Sequence, residues 1–208
     1  MSDLTALSIR DLTDGYKKGS FSPVEVTEAY LKRIDNYNEK LNAFVLVNKD
    51  GAIKQARTAE SLYSSGAATP SLLGIPLGHK DLYSTEGIRT TAGSKVLENH
   101  IPQADATSVA KLADSGAINI GKLNTHEYAY GPTNEHSLFG SCLNPWDTRY
   151  FSGGSSGGSH GRFRSHGSYG SCGSSGGGHK VMDSKVMESS PTAQCHLPHV
   201  LPQSAESP

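Results

Sequence analysis

An α/β fold with helices layered on a sheet is the prediction for the first 159 residues, and three observations carry it. Apolar runs at helical spacing alternate with short, partly β-branched runs, helix-start signals precede the helical runs, and glycine stops follow them. The pattern ends at Ser159. From His160 onward histidine, serine and glycine dominate and periodic apolar residues vanish, so the chain divides into an ordered part, 1–159, and a tail, 160–208. Such a tail cannot bury enough apolar surface to offset roughly 1–2 kcal/mol of backbone entropy per ordered residue, and disorder is expected for most of it.

Each element has its own warrant. Ser8 followed by Asp11 starts a helix that carries Leu12 and Tyr16 on one face and stops at Gly19. Ser22-Pro23-Val24-Glu25 supplies an N-cap, a proline at the first helical position and a capping-box glutamate in register. Behind it Val26, Tyr30, Ile34, Tyr37 and Leu41 form an apolar stripe. Ala43 to Val47 reads as a buried strand, and Ala52 to Tyr63 as a helix. Gly66 to Ser71 is a loop, and Ile75 to Lys80 a short strand that places Lys80 at its end. Asp105 to Asp114 is helical with Val109 and Leu112 inward and Gly116 as its stop. Ala117 to Ile120 is a strand leading into Gly121-Lys122, and 134–152 a long ordered loop carrying Trp146.

Composition narrows the function. Nineteen basic and twenty acidic residues, interspersed along the chain, give a net charge of −1, with no basic footprint for nucleic acid and no polybasic membrane anchor. No apolar run is long enough to cross a bilayer and the N-terminus is not signal-like, so a soluble cytoplasmic protein is expected. Cys142, Cys172 and Cys195 are odd in number and lack C-x-x-C spacing, which argues against a disulfide framework and a zinc site. His126 and Glu127 lack the second histidine of a helical metal motif; His126 is expected on the surface or supporting a site from behind. No metal and no cofactor is expected.

The segment most shaped like a site is Gly153-Gly154-Ser155-Ser156-Gly157-Gly158-Ser159, where backbone amides and hydroxyls can converge on a small volume. By composition alone it is equally a flexible linker. It also lacks the Gly-Lys-Ser/Thr ending of a phosphate-binding loop. The upstream segments Gly74-Ile75-Pro76-Leu77-Gly78-His79-Lys80-Asp81-Leu82, Gly87-Ile88-Arg89-Thr90-Thr91-Ala92-Gly93-Ser94, Gly121-Lys122-Leu123-Asn124-Thr125-His126-Glu127-Tyr128-Ala129-Tyr130-Gly131 and Asn144-Pro145-Trp146-Asp147 change that balance. In this order, from about Leu7 to Ser159, they resemble the amidase signature family.

The resemblance implies the N-terminal part of the amidase signature fold, a mixed β-sheet layered with α-helices. It also implies cleavage of a carbon–nitrogen amide bond through an acyl-serine. Lys80 would be the base, kept neutral by burial, and Ser155, after a cis peptide bond, the relay serine, with Ser156 not in that role. Asp81 would support the lysine loop. His79, adjacent to Lys80 on a strand, points to the other face and cannot share its site.

The family's spacing puts the nucleophilic serine where this sequence has His179, preceded by Gly176-Gly177-Gly178. Neither that serine nor its Asp-Thr context is present, and Ser174 and Ser175 are out of register. The chain as it stands is therefore expected to be inactive, and the abrupt switch after Ser159 reads as a reading-frame change or a mis-spliced or truncated gene. The intact family would take a small-molecule amide, either as a stand-alone amidase or as a glutaminase-type A subunit with amidotransferase partner subunits. A non-catalytic binding or regulatory remnant is the alternative.

Overall fold

Ser22 fixes the start of the longest helix. Its hydroxyl accepts from the Glu25 amide while Glu25 accepts from the Ser22 amide, and Pro23 occupies the first turn, so α2 runs Pro23–Leu41. The same reciprocal box, Ser8 with Asp11, opens α1 at Ile9–Lys18, which ends on Gly19 in the left-handed region. Ser22→Ala is expected to remove about 1 kcal/mol of stability, seen as a fall of roughly 2–4 °C in the melting temperature of the full chain.

The computed structural model describes residues 3–66 and 68–160. After α2 come β1 (Phe44–Val47), α3 (Lys49–Ser64), β2 (Pro76–Lys80), α4 (Thr107–Asp114), β3 (Ile118–Leu123) and a last short helical turn, α5 (Gly157–His160). The sheet order is β1-β3-β2, with β1 antiparallel and β2 parallel to the central β3. This is a mixed sheet, and α2 and α3 pack on one of its faces through Ile34, Ala52, Ala56, Ile118 and Ile120. A second cluster joins α1 and α2 through Leu12, Tyr16, Val26 and Ile75, tied by a Tyr16 hydroxyl donating to the Gly74 carbonyl at 2.9 Å. Among the described residues no helix is long and apolar enough to cross a membrane.

Several boundaries differ from the sequence expectation, each for a physical reason. α3 begins at Lys49 rather than Ala52, because its first turn is polar and exposed and leaves no apolar signature. α4 begins at Thr107 rather than Asp105, since the Asp105 carboxylate accepts from the Glu86 amide instead of capping the helix. Tyr37, placed on the inward stripe of α2, is 42 % exposed, and Leu31 takes an inward position instead. β3 extends through Leu123, so Gly121 and Lys122 belong to the strand.

That extension contains an irregularity. Leu77 and Gly78 are consecutive on β2, whereas their partners Asn119 and Gly121 on β3 are separated by Ile120. Ile118 and Ile120 both enter the helix-side core by ordinary alternation, and the extra residue, a β-bulge, then reverses that alternation. Lys122, which strict alternation would send into that core, pairs with His79 on the opposite face, and Lys80 pairs with Leu123.

Candidate active site

Lys80 is the last residue of β2, and the chain turns sharply away after it. The Tyr83 amide closes the turn onto the Lys80 carbonyl at 3.0 Å, and the Asp81 amide donates to the Leu123 carbonyl at 2.9 Å. The half-buried Lys80 side chain reaches across to the glycine-serine segment, where its Nζ donates to Ser155 Oγ at 2.7 Å. Burial lowers the pKa of the ammonium below the ordinary lysine value, because the charged form loses hydration.

Ser155 follows a cis Gly154–Ser155 peptide, and its carbonyl is held by two donors: the His126 amide at 2.9 Å and Thr125 Oγ1 at 3.0 Å. The segment is seated against the end of β3. The Gly158 amide donates to the Asn124 carbonyl at 3.0 Å, and a Cβ on Gly158 would lie 2.2 Å from the Ala43 carbonyl oxygen, a distance only glycine tolerates. Asn124 is fully buried and spends its amide on the Asn42 and Gly140 carbonyls, while its own oxygen accepts from Ser137 Oγ at 2.8 Å. The loop 134–152 is thus fastened to the strand end beside Ser155, with Trp146 79 % exposed on it.

The other face of the sheet holds a buried lysine that the sequence reading did not single out. Lys122 is 0 % exposed, and its ammonium donates to the Tyr83 carbonyl, to Thr85 Oγ1 at 2.9 Å and to Thr90 Oγ1 at 2.9 Å. The Asp81 carboxylate lies 3.9 Å from it, 1 % exposed, and accepts from the Thr91 amide and hydroxyl. Burial pushes Lys122 down to about 8 against the pull of Asp81, and pushes Asp81 up despite its hydrogen bonds to Thr91. Both shifts favour the neutral forms, so desolvation outweighs attraction in this pair. A lysine near the end of an apolar strand, four residues after Ile118, is the signal that could have marked it.

His79 is buried on the Lys122 side, its pKa lowered by burial and then by the Lys122 charge, and it does not meet Ser155. His126 is buried rather than on the surface: 7 % exposed, its Nδ1 without a hydrogen-bond partner, and its amide on Ser155. Cys142 is a buried free thiol. The tail, with His179, Ser174, Ser175, Cys172 and Cys195, lies outside the described residues. Among the described residues no three metal-ligating side chains cluster.

A half-buried lysine bonded to a serine on a glycine-rich segment, at the end of a mixed α/β sheet, is an arrangement in which a proton can pass between an amine and a hydroxyl. Comparison with known proteins gives the family. The amidase family model matches residues 25–179, and the chain belongs to that family. Among curated relatives, the A subunit of the glutamyl-tRNA(Gln) amidotransferase of Psychrobacter sp. (strain PRwf-1) is 46 % identical over 159 residues, covering 76 % of this chain and 32 % of the relative.

Among solved structures, one of a vestigial protein complex that reveals the evolutionary origins of an s-triazine catabolic enzyme matches with TM-score 0.71 and 35 % identity. That match covers 74 % of this chain and 34 % of the other. A bacterial aryl acylamidase of the amidase signature family matches with TM-score 0.69 and 27 % identity over 74 % of this chain and 32 % of that one. The chain therefore spans about a third of the length of the curated relatives it matches.

Proposed function

We propose that this chain carries the lysine–serine half of an amide-hydrolysing centre, with Lys80 as base and Ser155 as relay, and lacks the nucleophile that would complete it. The observation that carries this is the 2.7 Å bond between Ser155 Oγ and a lysine amine whose pKa burial has lowered. In a completed centre the nucleophilic hydroxyl would give its proton to Ser155 Oγ as it bonds to the amide carbon, and Ser155 would give its own to neutral Lys80. The protonated lysine would return a proton through Ser155 to the departing nitrogen, and water would then cleave the acyl-serine by the same relay.

His179 stands at the position the family's spacing assigns to the nucleophile, and an imidazole there supplies neither an acyl-serine nor its oxyanion pocket. Loss of one oxyanion donor alone costs about 100- to 1000-fold in kcat. The similarity to an amidotransferase A subunit supports a lineage in which the intact protein releases ammonia from an amide in the cytoplasm beside its partner subunits. The expected result is that the full chain, given glutamine or a short aliphatic amide, releases no ammonia above a protein-free blank and takes up no fluorophosphonate probe. Ammonia release that Ser155→Ala abolishes would show that a working nucleophile is present and overturn the inactive reading.

A further inference from the structure

Lys80 leaves β2 directly into a tight turn, residues 80–83. The turn is closed by the Tyr83 amide on the Lys80 carbonyl, and the Tyr83 carbonyl, at its far end, is one of the acceptors of the Lys122 ammonium. Of the two residues between them, Asp81 is fixed by its amide on Leu123, by its carbonyl accepting from the Ala92 amide at 2.7 Å, and by its carboxylate facing Lys122. The remaining Lys122 acceptors, Thr85 and Thr90, gather the following loop onto the same ammonium.

We propose that Lys122 is a positioning residue for Lys80: from the opposite face of the sheet it clamps the Lys80–Tyr83 turn and so sets the direction in which the Lys80 amine meets Ser155. Lys122 does not touch the reacting atoms. It acts from the strand position beside Leu123, the register partner of Lys80, so the two lysines are coupled through one strand and one turn. A buried ammonium suits this task because it can hold several acceptors at once, and its removal leaves three oxygens without their shared donor and the Asp81 carboxylate without the cation it faces. The charged or titratable groups facing it are Asp81, Asp105 and His79, so its hold on the turn is strongest while it is protonated.

This rests on the reading of Lys80 as a base, and the experiment separates the two. The full chain, its Lys122→Met variant and a Thr85→Val/Thr90→Val variant are pulse-labelled with trace acetic anhydride across a pH series. Acetylation of Lys80 is read by mass spectrometry against the exposed Lys95. In the wild type Lys80 is expected to reach half-reactivity at a lower pH than Lys95. In both variants the Lys80 midpoint is expected to move towards that of Lys95, lowering its reactivity at neutral pH by about threefold or more, since one unit of midpoint is about tenfold in neutral amine.

The threonine variant removes no charge, and it carries the test if Lys122→Met loses its cooperative melt. A Lys80 profile that is unchanged in a folded variant overturns the positioning role. Wild-type Lys80 and Lys95 titrating together would instead overturn the base reading, while a change in the Lys80 labelling rate between wild type and variants would still support the clamp.

Discussion

Gly121→Ala is expected to destabilise the full chain by roughly 3 kcal/mol or more, lowering its melting temperature by about 6–12 °C. Gly121 has φ +151°, a region open essentially to glycine alone, and a Cβ there would lie 2.2 Å from the Leu46 carbonyl oxygen on β1. That oxygen is backbone in the neighbouring strand and cannot rotate away, so either β1 separates from β3 or the bulge is lost. Losing the bulge would restore strict alternation and drive the Lys122 ammonium towards Ile34, Ala52 and Ala56. The penalty is steric and should be independent of pH. A melting temperature within 2 °C or so of wild type would mean that the bulge is not rigid and that the strand accepts a side chain there.

Asp81→Ala is expected to cost about 3–5 kcal/mol near neutral pH, for an electrostatic reason: it leaves the Lys122 charge buried without its counter-ion. This deficit should depend on pH. Lys122 releases its proton at about 8 in the folded chain and near the ordinary lysine value when unfolded, so between these the unfolded chain binds more protons and stability rises with pH. The buried-charge penalty is therefore fully present below about pH 8 and relieved as pH approaches that of an ordinary lysine. In Asp81→Ala the carboxylate that holds the proton on Lys122 is gone, so the relief begins at lower pH. Its deficit against wild type should shrink with rising pH, while that of Gly121→Ala stays constant. Burial also raises the Tyr16 pKa, so ionisation of this tyrosine in the unfolded chain erodes stability at the alkaline end of the same scan. Chemical denaturation at a series of pH values tests both variants together, and a constant Asp81→Ala deficit would remove Lys122 as the charged partner.

The helices were legible because their signals are local. Ser22, Pro23 and Glu25 act within one turn, as do Ser8 and Asp11, and the structure contains both capping boxes. The starts of α3 and α4 were not legible, because polar first turns carry no periodicity and because Asp105 is drawn to Glu86, 19 residues away. The strand β3 was cut short for a related reason: Gly121 and Lys122 look like a strand's end until β1 and β2 pair with them on either side.

Within the site, Lys80 at a strand end and Ser155 in its glycine frame could be named from motif order and family spacing. Their contact, 75 residues apart in the chain, depends on β2 lying parallel beside β3 and on the glycine segment docking against Asn124. By itself the sequence determined the capped helices, the α/β class, the family and the absence of a serine at position 179. Those are properties of residue type and local spacing. Only the tertiary structure decided that Lys122 faces away from the core and towards Asp81, since one extra residue in a strand pairing reverses which face a side chain occupies; Gly121 marks a candidate bulge locally, but the pairing that leaves Ile120 unmatched exists only once β2 lies beside β3.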